Sequence, residues 1–169
     1  MSDGDLGSTN GGAAAAATGA VDTPASRMMV IGQYVRDLSF ENPGAPATQN
    51  IRPQIDLGVD LQARRLDAER FEVEIKLRVT ATSEEKPVFL LELAYAGQFW
   101  IQNVPDEFLQ QILLIDAPHL IFPFARRVVA DTIRDGGMPP LMIEPIDFAA
   151  LYRAKAENQQ GVAPTPVSA

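Results

Sequence analysis

The chain has no cysteine and a single histidine, His119, among its 169 residues. These two shortages exclude disulfide scaffolds, thiolate zinc sites, iron–sulfur clusters, cysteine nucleophiles and any chemistry that needs paired imidazoles. Basic residues are also scarce: 14 Lys and Arg stand against 22 Asp and Glu, a formal charge of −8. Such a chain repels phosphate backbones, so no nucleic acid is expected as a partner, and a basic protein surface fits better. No run reaches the roughly 20 consecutive apolar residues that a membrane-spanning helix needs. The Ala-rich start carries Asp3 and Asp5 where a signal peptide carries Lys or Arg. The expected location is therefore the cytoplasm, without direct membrane insertion.

What is present lies mostly in the middle of the chain. All the aromatic residues fall between Tyr34 and Tyr152, whereas residues 1–26 are largely Gly, Ala, Ser, Thr and Asp. Residues 1–26 are expected to be a disordered leader, since they have too little to bury to offset their ordering entropy. Residues 155–169 turn polar and then rich in Pro, Ser and Thr, and are expected to be a flexible tail. One domain, residues 27–154, remains. No internal repeat is evident.

Within that domain the hydrophobic period changes once, from about two to about 3.6. Strand-like residues run from Met29 to Glu41 and stop at Asn42-Pro43-Gly44, a turn signal. Ile55, Leu57, Val59 and Leu61 alternate with polar residues and glycine, and Phe71, Val73, Ile75, Leu77 and Val79 alternate with Glu72, Glu74, Lys76, Arg78 and Thr80. Ser83-Glu84-Glu85-Lys86 reads as a hairpin turn into Val88–Ile101, which is apolar on both faces except at Glu92 and Gln98. A helix is expected from Pro105-Asp106-Glu107, with Phe108, Ile112 and Leu113 as its stripe. A second is expected from about Ile121 to Arg134, with Pro123 in its first turn and Phe124, Val128, Val129, Thr132 and Ile133 at helical spacing. Gly136-Gly137 stops it and Pro139-Pro140 prevents a restart. Asp147 caps a last helix through Tyr152 and beyond, with Phe148 and Leu151 on its inner face. The expected class is α+β, a four-stranded antiparallel sheet packed against helices.

Asp37, Ser39 and Glu41 share one strand face and Glu92 stands in an apolar strand. The first reads as a strand face turned to water, and Glu92 as an edge residue that discourages unwanted sheet pairing. His119 has no nucleophile or metal partner nearby and reads as a packing or surface residue. Tyr95, Phe99 and Trp100, with the Met138–Met142 segment, fit either ordinary core or the wall and rim of an unspecific apolar groove. No enzyme signature is found: no catalytic residues, no metal site and no cofactor are expected.

The run Tyr34-Val35-Arg36-Asp37-Leu38-Ser39-Phe40-Glu41-Asn42-Pro43 resembles the opening strand of the SecB family of bacterial protein-export chaperones. Phe122-Pro123-Phe124-Ala125-Arg126, Gly137-Met138-Pro139-Pro140-Leu141 and Pro145-Ile146-Asp147-Phe148-Ala149-Ala150-Leu151-Tyr152 resemble that family's long helix, crossover loop and last helix. The resemblance implies a homotetramer, a dimer of dimers, that holds unfolded precursor polypeptides in the cytoplasm and delivers them to the SecA translocation ATPase without catalysis. By position, Asp37, Glu41, Leu90 and Glu92 match the family's SecA-docking surface, and the zinc at that contact belongs to the partner. Phe40, Leu57, Val59, Tyr95, Phe99 and Leu141 are the residues the resemblance suggests for a client groove. The alternatives are a SecB-like chaperone for a toxin–antitoxin pair, or a small α+β domain that binds one apolar ligand.

Overall fold

A computed structural model describes residues 24–43 and 52–160. The expected leader, apart from its last three residues, and the tail beyond residue 160 lie outside the described residues. Four strands, β1 (Arg27–Glu41), β2 (Gln54–Arg65), β3 (Arg70–Ser83) and β4 (Lys86–Gln102), form one antiparallel sheet in the order β1-β4-β3-β2. Alternation sends Phe71, Val73, Ile75, Leu77 and Val79 of β3 to the inner face, where each is nearly or wholly buried. Their register partners on β4 are Phe99, Gly97, Tyr95, Leu93 and Leu91. Among the described residues, both edge strands, β1 and β2, have one side without a strand partner.

The β3–β4 hairpin turns at Glu84 and Glu85, with φ of 49° and 63°. Positive φ at both centres is the type I′ pattern, which matches the strand twist and which glycine and asparagine adopt more cheaply than glutamate.

The helices cover the inner face. The sequence predicts two separate helices here, but α1 (Asp106–Gln111), a π-helical turn (Ile112–Asp116) and α2 (Ala117–Asp135) run on without a break. The widened turn, in which the Ala117 N–H bonds the Ile112 carbonyl five residues back, leads into Pro118, which cannot donate to the ladder. Pro123 consequently lies inside α2 and not in its first turn. The inner stripe is Ile121, Phe122, Ala125, Val129 and Ile133, all buried, whereas Phe124 is exposed on the other side. Close approach at Gly97 selects this face, since a Cβ there would sit 2.8 Å from Ile121 Cγ2. By length and composition alone Asp106–Asp135 could cross a membrane; here its apolar stripe is packed against the sheet.

Gly137, at φ 84°, ends α2: its N–H bonds the Arg134 carbonyl at 2.9 Å and the Met138 N–H bonds that of Ile133 at 3.3 Å. This double closure is a Schellman cap, with buried Met138 against Ile133 as its apolar contact. Helix α3 (Phe148–Gln160) starts at Asp147, whose Oδ1 accepts the Ala150 N–H at 2.9 Å. It continues through residues 155–160, which the composition had assigned to a flexible tail. Lys155 ties this part to the sheet, donating to the Leu61 carbonyl at 3.2 Å with Asp60 3.6 Å away.

Candidate functional site

Among the described residues no helix covers the outer face of the sheet, and the residues on that face follow from register. Glu41 lies opposite Leu90, Ser39 opposite Glu92 and Asp37 opposite Ala94. The four positions singled out for docking, Asp37, Glu41, Leu90 and Glu92, therefore share one face and one corner of the sheet. A β-bulge makes this possible: the register shifts between Val35 and Asp37, leaving Arg36 as the extra residue. Without it, alternation from outward Tyr34 would turn Asp37 inward and Leu38 outward.

Between Asp37 and Asp60 a shallow groove of about 530 Å³ crosses the strands, with Lys76, Arg78, Glu92 and Ala94 in its lining. Arg78 donates to Glu92 Oε1 across the β3–β4 pair, and both side chains are exposed. Among the described residues, Asp37 and Glu41 make no ion pair.

Next to this corner is a cluster that sequence reasoning missed. Glu72 is 2% exposed yet charged, accepting from Tyr34 at 2.6 Å, from Arg64 Nε at 2.8 Å and from Arg36. Glu74 Oε2 lies 3.1 Å from Arg36 Nε. Burial pushes the Glu72 carboxyl up, but the hydrogen bonds from Arg64 and Tyr34 and the charge of Arg36 outweigh it and lower its pKa to about 2. Arg36 reaches from β1 over β4 to β3, and the β4 residues on this face along its route are small, Ala94 and Ala96. The alternation of Glu72 and Glu74 was legible as an outward pattern. Nothing in it signalled that a neighbouring strand of small residues would let Arg36 cover them.

The other six residues divide differently. Phe40, Leu57, Val59, Tyr95 and Phe99 all project to the inner, helix-covered face, while Leu141 lies in the loop after α2. Phe99 is completely buried and Tyr95 nearly so, because α2 lies directly above Gly97 between them. Burial pushes the Tyr95 hydroxyl's pKa up. Phe40 is half-buried, its ring packed over Gly136 and tilted against Phe89 at 6.0 Å. In the chain as folded, Tyr95 and Phe99 are thus core and not an open wall.

Open space lies instead along β2. A cavity of about 790 Å³ has a mixed lining, with Leu61, Leu109, Leu113 and Leu114 facing Gln62, Arg65, Asp106, Gln110 and Lys155. A neighbouring one of about 460 Å³ includes Val59, Leu61, Leu114, Leu151 and Tyr152. Val59 alone of the six lines either of these. His119 is exposed, with Nδ1 2.7 Å from the Ile115 carbonyl and its ring edge-on to Phe148. Among the described residues, no group of three or more His, Cys, Asp or Glu side chains is placed to hold a metal ion.

Comparison with known proteins gives these two faces a context. Residues 22–159 match the family described as preprotein translocase subunit SecB. A protein-export protein SecB of Maricaulis maris is 48% identical over 157 residues, covering 87% of this chain and 91% of its own. Another, from Hyphomonas neptunium, is 50% identical over 130 residues, 76% of this chain and 78% of its own. In three dimensions the chain is similar to a Mycobacterium tuberculosis SecB-like chaperone solved with an antitoxin peptide. That match has a TM-score of 0.61 and 18% identity, and covers 71% of this chain and 91% of the other. At that identity the likeness is one of fold.

Proposed function

The chain belongs to the SecB family, and from that premise we propose that it is a protein-export chaperone that holds precursor polypeptides unfolded and passes them to the SecA ATPase. It acts by binding, not by catalysis. The observation that carries the division of labour is the two-faced sheet. The outer face gathers Asp37, Glu41, Leu90 and Glu92 at one corner, and the inner layer leaves partly apolar cavities along β2.

Extended client segments settle on the apolar surfaces, each stabilised by roughly 25 cal/mol per Å² of apolar area removed from water. No single contact is specific, and several acting on one client raise the effective concentration of the rest. The client surface we propose is centred on Val59, Leu57 and the β2 cavities. Phe40 and Leu141 sit toward its margin, and Tyr95 and Phe99 support it from beneath. The acidic corner steers the carrier onto a basic segment of SecA, an attraction that salt weakens.

Tetramer formation belongs to the same proposal. Met29, Val30, Ile31, Val35 and Leu38 are exposed along the free edge strand β1, and Leu120 and Phe124 along the outer side of α2. Apolar exposure of this extent on an edge strand and a neighbouring helix suits burial against further copies of the chain. The cytoplasm is the compartment in which such a carrier meets precursors before export.

The test is whether the purified protein, without ATP, arrests refolding of a slow-folding precursor at about one tetramer per client. Arrest of the unfolded form, with indifference to the mature folded form, is the expected result. A folded sample that changes neither refolding nor aggregation overturns the reading and favours a protein that binds a single compact ligand.

A further inference from the structure

Glu92 is not a vacant carboxylate. Arg78 stands opposite it in the β3–β4 register and donates to its Oε1, at the centre of the groove that Asp37 and Asp60 flank. On its other side, in the β2–β3 register, Arg78 faces Gly58. A Cβ at Gly58 would meet only the Arg78 Cβ at 3.7 Å and its carbonyl oxygen at 3.9 Å. The missing side chain leaves the guanidinium room to swing away from Glu92. Asp60 is likewise engaged, by Lys155 of α3 at 3.6 Å. At this corner, then, Asp37 and Glu41 offer open charge, whereas Glu92 carries a cation of its own.

We propose that Arg78 is an internal competitor for the basic group that the docking partner brings to Glu92. Docking is an exchange: the incoming cation takes the carboxylate, and Arg78 moves into the space above Gly58. The inference rests on the docking reading of this face. Its consequence is that Arg78 holds the affinity below what the four acidic-corner residues would otherwise give, which favours release once a client has been handed over.

The experiment uses the full-length chain and purified SecA, with the dissociation constant measured at low and at high salt. Arg78→Gln is expected to tighten binding about two- to fivefold at low salt, the range an exposed ion pair allows, and to steepen the salt dependence. Arg78→Lys keeps a competing cation and should stay near the parent affinity. Arg153→Gln makes the same change in net charge from the exposed surface of α3, so it should tighten binding less than Arg78→Gln. In a Glu92→Gln background the gain from Arg78→Gln should vanish. Unchanged or weaker binding by Arg78→Gln, in a sample whose melting temperature shows it folded, overturns the proposal. So does an equal gain from Arg153→Gln, which would assign the effect to long-range charge. If neither Asp37→Asn nor Glu92→Gln alters affinity, it is the docking reading that fails, and this inference falls with it.

Discussion

At the scale of single residues, the outer face holds a carboxylate that should set part of the acid stability. Glu72 has a folded pKa of about 2 against an ordinary value of 4.5, so the unfolded chain takes up its proton first as pH falls. Its contribution is complete above about pH 4.5 and disappears as pH drops through about 2, amounting to the order of 3 kcal/mol. Glu72→Gln should therefore flatten the acid limb of the stability curve between those values, measured by urea unfolding at a series of pH values. The same acid slope in both proteins would show that the cluster contributes no linkage. The hairpin turn gives a prediction of opposite sign. Glu84 and Glu85 both adopt positive φ, a conformation that strains a residue with a Cβ. Replacing the pair with Asn-Gly should stabilise the protein by about 1 kcal/mol and raise the melting temperature by a few degrees. No gain would mean that the turn relaxes without strain.

At the scale of elements, the contact that matters is the seating of α2 on β4. Gly97 admits the helix so closely that an added Cβ would lie 2.8 Å from Ile121 and 2.9 Å from the Phe99 ring. Gly97→Ala should destabilise by about 1–3 kcal/mol through overpacking, read from the urea midpoint at unchanged slope. A neutral result would mean that Ile121 repacks freely and that the helix is not tightly seated. The end of α2 is held in a related way. A Cβ at Gly136 would meet the Phe40 ring at 2.5 Å, and Asn42 Nδ2 donates to the Gly136 carbonyl at 3.1 Å. The C-terminal end of β1, which carries Glu41 on its outer face, is thus anchored by the helix cap beneath it.

At the scale of the whole molecule, the two faces should respond to different perturbations. Apolar residues on β1 and the outer side of α2 are the surface proposed for further copies of the chain, so Leu38→Lys with Phe124→Lys should lower the mass seen by sedimentation velocity from that of the proposed tetramer to that of smaller species. A mass unchanged by both substitutions would place the interface elsewhere. The docking proposed for the other face depends on charge. Asp37→Lys inverts an open carboxylate and should weaken SecA binding about tenfold at low salt, with a smaller loss at high salt, because screening shortens the reach of exposed charges. A loss independent of salt would argue against an electrostatic docking face.

Much of the architecture was legible in the chain because each strand and helix leaves a local period. The alternation from Phe71 to Val79 and the stop at Gly136-Gly137 each state their structure without reference to distant residues. The acidic face of Asp37, Ser39 and Glu41 was legible for the same reason, since residues two apart on a strand share a side. Tertiary structure decided what depends on meetings between distant segments. It joined the expected two helices through a π-helical turn, chose Ile121 over Phe124 as the buried stripe because Gly97 lies beneath, and placed Tyr95 and Phe99 in the core. It also carried α3 on to Gln160, where Lys155 meets β2. The Arg36–Glu72 cluster and the Arg78–Glu92 pair belong to this second group. Sequence reports which residues face outward, but only register and the size of intervening side chains settle which charges meet.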